Sequence, residues 1–418
     1  MKSLNEEYYS PVTQWEKILF WYSFFMAFPI IVPIFNISIF IFPFLLISFK
    51  RQYGFVFRWK GITPLLLLLL TIGLVVNVAS LYAADNTEFL KRSLQVVPNY
   101  MYWLLLIWFL YSQRDNLNYH IISKALFWGV IATTIFYFLI APLRPSAYLP
   151  FIKNLSQNAY AFLIITFTPA AVRYSYFRYG RLYAWIFLLI IILSGFLSGS
   201  RSSSILVLLG GLAGLYLETF QRKRIIRFGL IGIVFFLIFQ MSFVEALIKS
   251  LNPRTHDLLY QTSSTLKTDR SFLVRQAQIE KGLEIFKMKP ITGIGLNNFT
   301  SFKDVKLPGI FKGAKFVINK PGITETSSHN SYINLLAEGG LALFLPFGLL
   351  ILYIVRLLIK VRQELDSSEI AYVIGFIMML IHLYFIAAIV NVFCWFNIGV
   401  VLTLLKLKSE EIMNCKDN

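Results

Sequence analysis

The sequence predicts an all-α polytopic membrane protein of about 12 transmembrane helices, with one large extracytoplasmic loop between the ninth and tenth spans. Three observations predict it. The 418 residues are 57% hydrophobic and only 14% charged, well below the ~25% charge usual in soluble domains. Several apolar runs approach or exceed the ~20 residues that cross a bilayer. Short basic clusters recur between every second pair of runs, as the positive-inside bias requires. In that setting the net charge of +18 belongs to the cytoplasmic loops and gives no reason to expect a nucleic-acid partner.

The apolar runs lie near 18–32, 34–49, 62–82, 95–112, 121–141, 157–173, 182–199, 203–219, 226–248, 330–355, 369–388 and 390–406. Lys50, Arg51, Arg58 and Lys60 follow the second run, and Arg173, Arg178 and Arg181 the sixth. Arg222, Lys223, Arg224 and Arg227 follow the eighth, and Arg356, Lys360 and Arg362 the tenth. All four clusters fall on one side if both termini are cytoplasmic. The N-terminus carries Glu6, Glu7 and Glu16 and no cleavable-signal pattern, so the first span is expected to be retained. Residues 1–248 then form an N-terminal region of nine spans, 249–328 the extracytoplasmic loop, 329–406 three further spans and 407–418 a cytoplasmic tail.

The opposite side receives short loops near 83–94 and 142–156, the turn Ser198-Gly199-Ser200-Arg201-Ser202, and the long segment 249–328. That segment is rich in Lys and Arg, which suits phosphate-bearing lipid headgroups. Within it, Phe272, Gln276, Ile279, Leu283 and Phe286 recur at helical spacing over 269–288, and Pro290 stops the helix. Thr292-Gly293-Ile294-Gly295 has the glycines of a phosphate loop. It follows a helix and not a strand, so a tight turn packing that helix on the membrane surface is expected instead.

Ser327 or Ser328 is expected to cap the tenth span, placing His329 in its first turn. Asn330, Asn334 and Glu338 would then form a polar stripe at i, i+4 and i+8. Such stripes either start a helix with snorkelling side chains or face a protein interior or a wet cavity. Arg201 sits among Gly and Ser between two spans, either as an interfacial anchor or as a guanidinium fork for phosphate. Arg270 and Arg275 lie on the loop helix, where a solvated face is the plain alternative. His120 reads as structural, His256 as a loop residue without a partner, and His382 as a buried, hydrogen-bonded residue. No HExxH, cysteine pair or acidic pair offers metal ligands, and there is no Gly-x-Ser-x-Gly elbow.

The order of these features resembles the O-antigen ligase and O-antigen polymerase superfamily of bacterial envelope polysaccharide enzymes. A Gly-Ser-Arg turn precedes a long loop, an Arg stands fifteen residues before Pro and a Gly-x-Gly turn, and His-Asn-x-Tyr…Glu-Gly-Gly opens a span. The resemblance implies a glycosyltransferase that moves a glycan from undecaprenyl diphosphate to an acceptor sugar hydroxyl, without metal, cofactor or nucleotide sugar. It places Arg201, Arg275 and His329 in catalytic roles, with Arg201 and Arg275 on the diphosphate; Arg270 and Asn330 are further candidates for binding diphosphate or sugar. Arg270 matches no named family position. The acceptor would be another repeat unit or a lipid A-core oligosaccharide in lipopolysaccharide biosynthesis. Membrane lipids and a chain-length regulator are further partners, and the active site would face the periplasm across the bacterial inner membrane. A transporter of lipid-linked oligosaccharide is the alternative; it predicts ionisable residues along a mid-membrane pathway.

Overall fold

The computed structural model describes residues 13–28, 31–32, 35–54, 58, 61–140, 156–198, 200–218, 270–302, 329–389 and 391–417, with a few isolated residues between 226 and 256. The ninth predicted run and most of the long loop, including Ser327 and Ser328, lie outside the described residues.

Eleven of the twelve apolar runs are helical over most of their length. In chain order these helices are α1 (Gln14–Ala27), α2 (Ser38–Tyr53), α3 (Ile62–Ala83), α4 (Thr87–Ser112), α5 (Tyr119–Ile135), α6 (Gln157–Tyr179), α7 (Arg181–Leu197) and α8 (Arg201–Tyr216). α9 (Arg270–Met288) is the predicted loop helix. α10 (Ser331–Val361), α11 (Ser367–Leu383) and α12 (Val392–Asp417) complete the set. A two-residue antiparallel ladder, Ile31–Val32 with Phe35–Asn36, joins α1 to α2. α4 begins eight residues earlier than the apolar run near 95–112, because Asn86 caps it by accepting from the Phe89 amide. The expected tail 407–418 continues α12 through Asp417.

Among the described residues, five helical segments are long and apolar enough to cross a membrane: Ile62–Ala83, Thr87–Ser112, Tyr119–Ile140, Ser331–Val361 and Val392–Cys415. α3 shows the pattern plainly. Leu66, Leu67, Leu70 and Leu74 are buried, while Leu65, Leu68, Ile72 and Val75 on the other face are about half exposed. A helix apolar on its outward face as well as its inward one belongs in lipid.

α6 is the hub of one half of the bundle and packs against α5, α7, α8 and α11. Tyr160, Phe162, Ile164, Phe167 and Ala171 are buried on all its sides. Small residues let α8 come close: a Cβ on Gly214 would meet the Pro169 backbone at 2.8 Å, the close approach that glycine permits between membrane helices. The other half is built from α3, α4, α10 and α12, with α1 leaning against α5 and α2 against α1. α9 lies across α10, and a Cβ on Gly282 would fall 2.3 Å from Ile333 Cγ2.

Candidate functional site

α10 is broken. Gly340 has φ 58° and ψ −163° within it, so Leu341 and Ala342 cannot donate to Ala337 and Glu338 as an unbroken helix requires. The turn after α9 replaces those two bonds with four. Ile294 N donates to Ala337 O at 3.1 Å and Gly295 N to Glu338 O at 2.9 Å. In return Leu341 N donates to Pro290 O at 2.8 Å and Ala342 N to Ile291 O at 2.9 Å. Unwound backbone at membrane depth persists where protein satisfies its polar groups. The Gly-x-Gly turn is therefore a plug for a broken helix. Its Gly295 amide is engaged by α10, so the tight turn packs α9 against that helix.

Asn77 of α3 completes the plug. Its Nδ2 donates to Thr292 O at 2.7 Å and Glu338 O at 2.9 Å, and its Oδ1 accepts from Leu296 N at 3.3 Å. Asn298 is fully buried and donates to Phe89 O at 3.0 Å and Ser93 Oγ at 3.1 Å on α4. Sequence reasoning missed both asparagines. Asn77 interrupts an otherwise apolar run, which is the signal that could have marked it.

The polar stripe resolves into structural parts. The capping residue of α10 is Asn330 and not a serine before it: its Oδ1 accepts from Tyr332 N at 3.0 Å and Ile333 N at 3.1 Å. Asn330, expected at the substrate, thus also caps α10. Asn334 Nδ2 donates to Glu338 Oε2 at 2.9 Å, and Phe299 N donates to Glu338 Oε1 at 2.8 Å. Glu338 is thus buried in the protein interior and held by α10 and by the plug.

His329 stands outside α10, immediately before the cap, and not in its first turn. Its backbone is left-handed, with φ 51°, a conformation that costs a non-glycine residue energy and collects at functional positions. The ring is half-buried. Burial, and then the charge of Arg275, hold its pKa below the usual histidine value, so the imidazole is neutral near pH 7.

Arg275, half-buried on α9, acts on His382 as well as on His329. His382 corrects its expectation. It is 2% exposed and stacks on Phe162 at 5.5 Å, but neither ring nitrogen has a hydrogen-bond partner among the described residues. The two histidines are tied together by neighbours. Tyr332 OH donates to Leu380 O at 2.8 Å, Ser331 Oγ donates to Ile386 O at 2.6 Å, and Ala388 N donates to Ser331 Oγ at 2.8 Å.

Arg201 is the first residue of α8 and Arg270 the first of α9; their side chains lie outside the described part of the structure. The start of α8 nevertheless has a clear position. Ser203 packs by Gly195 and Ile164, two residues from the Phe162 that stacks on His382. The start of α8, the end of α11, α9 and the His329 turn therefore share one end of the bundle. His256, expected to be partnerless, meets Glu245 at 3.0 Å. A cation that sequence reasoning missed is Lys281 of α9. Its Nζ donates to Phe299 O at 2.8 Å and lies 4.9 Å from the Phe299 ring centroid. Burial lowers its pKa to about 8.

Among curated proteins no sequence matches the chain. Residues 185–348 match the family described as O-antigen ligase. That stretch runs from α7 into α10 and contains Arg201, Arg270, Arg275, His329 and Asn330. The match over residues 185–348 supports the O-antigen ligase and polymerase resemblance that the order of motifs carried in this membrane protein.

Proposed function

We propose that this protein is a membrane glycosyltransferase that moves a glycan from a polyprenyl diphosphate to a sugar hydroxyl, at the bundle end that holds His329. The observation that carries the proposal is the half-buried, left-handed His329 before the α10 cap, whose pKa is held down by burial and then by the charge of Arg275. A neutral imidazole, held so by burial and by a guanidinium, is a base at physiological pH. The guanidinium is a fixed cation for the phosphate chemistry beside it.

In the proposed step, His329 accepts the proton of the acceptor hydroxyl. The oxygen attacks the anomeric carbon, the bond from that carbon to the diphosphate oxygen breaks, and polyprenyl diphosphate leaves with the electron pair. Attack from the face opposite the leaving group inverts the anomeric centre. Arg275 and Arg201 stabilise the charge that builds on the diphosphate, as preorganised donors do at a developing anion. The step draws on no metal or cofactor; activity that is lost in chelator and restored by one divalent ion would overturn this part.

The active face is the outer face of the inner membrane and both termini are cytoplasmic, a reading supported by the basic clusters of the short loops. The test is complementation of a deletion strain with wild type, Arg201→Ala, Arg275→Ala or His329→Ala, with surface glycan resolved by gel. All three variants, expressed at wild-type levels, are expected to fail. Single repeats on the core identify a polymerase; bare core with lipid-linked polymer accumulating identifies a ligase. Normal rescue by all three would overturn the proposal.

A further inference from the structure

His329 and Arg275 sit on different elements, and their spacing decides whether base and cation meet the same substrate. A continuous run of contacts joins them. From His329 it passes through the Asn330 cap, whose carbonyl accepts from Asn334 N at 2.9 Å, and through Asn334 to Glu338 at 2.9 Å. Glu338 accepts from Phe299 N at 2.8 Å, and the carbonyl of that same residue accepts from Lys281 Nζ at 2.8 Å. Lys281 stands on α9 six positions after Arg275, less than two turns along one rigid element. The Phe299 residue is thus gripped from both sides, its amide by α10 and its carbonyl and ring by α9. Beside this tie, α9 and α10 meet at the close pass of Gly282 on Ile333 and in the apolar cluster of Ile285, Ile294, Phe299 and Ala337.

We propose that Lys281 is a positioning residue: acting through Phe299 and Glu338, it sets the register of α9 on α10 and thereby the placement of Arg275 against His329. A surface lysine on an amphipathic helix would point to water. This one spends its ammonium on one carbonyl and one aromatic face, with its stem along the apolar cluster, a pairing that holds an angle as well as a distance. The inference rests on His329 and Arg275 being the working pair.

The pKa of His329 is the ruler for that placement, because Arg275 lowers it. The titratable groups on the elements around it are Arg275 and Lys281 on α9, Glu338 on α10 and His382 on α11. Of these the charge that acts on His329 is that of Arg275. The experiment titrates the full-length protein, labelled with 15N-histidine, in detergent micelles, with the His329 signal identified by its loss in His329→Gln. Lys281→Met is expected to move the His329 pKa upward, toward the ordinary histidine value. It should lower kcat about 10- to 100-fold, the range expected of a misplacement near 1 Å, with KM little changed. Lys281→Arg is expected to restore most of both. Lys287→Ala, on the same helix but exposed and paired only with Glu284, should move neither. If Lys281→Met does not fold, Glu338→Gln tests the same chain, since its amide cannot accept both bonds, and the same upward shift is expected. An unchanged His329 pKa in a folded variant overturns the inference. A shift as expected, in a protein whose wild type transfers no glycan, supports the placement and overturns the proposed function instead.

Discussion

Gly293 and Gly340 lie back to back, so that a Cβ built on Gly340 would stand 2.6 Å from the Gly293 amide nitrogen and 2.3 Å from Ile291 O. Both residues have positive φ, 64° and 58°. The two glycines allow the turn after α9 to enter the break in α10, and His329 stands at the head of the helix that this joint holds.

Gly340→Ala is expected to destabilise the protein strongly. The left-handed backbone alone costs an alanine ~1–2 kcal/mol, and the overlap with Ile291 adds to it. Thermal unfolding in detergent checks this, with Gly348→Ala as the control, since a Cβ at Gly348 meets nothing within 4 Å. Equal melting of the two variants would show that the joint carries no strain-sensitive contact.

Asn77→Asp keeps the shape of the side chain and removes its donors. Thr292 O and Glu338 O then face a carboxylate oxygen where they now accept from Nδ2 at 2.7 and 2.9 Å. Each buried group left unsatisfied costs ~1–3 kcal/mol, so a fall in melting temperature is expected. An Asn77→Asp protein as stable as wild type would contradict the role given to Asn77.

His329→Gln should lower kcat ~10²–10⁴-fold, the range for removal of a positioned base. The sign of the pH dependence follows from the depressed pKa of His329. The neutral ring is present above that pKa, so wild-type activity should hold through neutral pH and fall only below the ordinary histidine value. The same depression makes protonation cost more in the folded state than in the unfolded one, so its contribution to stability is also lost as pH falls through the folded pKa. The kcat/KM profile from pH 4 to 8 tests the sign; an acid limb above the ordinary histidine value would be wrong for this site.

Arg275→Gln is expected to lower the rate ~10²–10³-fold and to raise the acid limb of the same profile, because the charge that depresses His329 is gone. A single variant thus gives two readouts, and a rate loss with the limb unmoved would separate Arg275 from His329. Arg201→Lys should also be poor, since an ammonium cannot reproduce a bidentate fork on phosphate; kinetics of the lysine variant close to wild type would make Arg201 an interfacial anchor.

The parts of the fold that follow from local chemistry were legible in the chain. Apolar runs gave the helices, Pro290 closed α9 within two residues of the predicted end, and the order of Arg201, Arg275 and His329 gave the family. What was not legible depends on contacts far apart in sequence. Ser328 and Asn330 are both good caps, and only the left-handed turn at His329 chooses Asn330. For Glu338 the sequence allows a protein interior, a wet cavity or a snorkelling helix start, because its partner, the Phe299 amide, is a backbone group without a sequence signature. Lys281 looked like any surface lysine for the same reason, since it bonds a carbonyl. The break at Gly340 was hidden inside an uninterrupted apolar helix pattern, and only the Gly293 turn that repairs it makes it possible.

The central claim, that His329 is the base of a glycan transfer from a polyprenyl diphosphate, is tested most directly by purified protein in detergent. The protein would be given a synthetic polyprenyl-diphosphate oligosaccharide and a sugar acceptor, and products followed by mass spectrometry. Wild type is expected to form the joined glycan and release polyprenyl diphosphate in equal amounts, while His329→Gln, folded and able to bind the donor, forms neither. Joined glycan at the wild-type rate from His329→Gln would contradict the account.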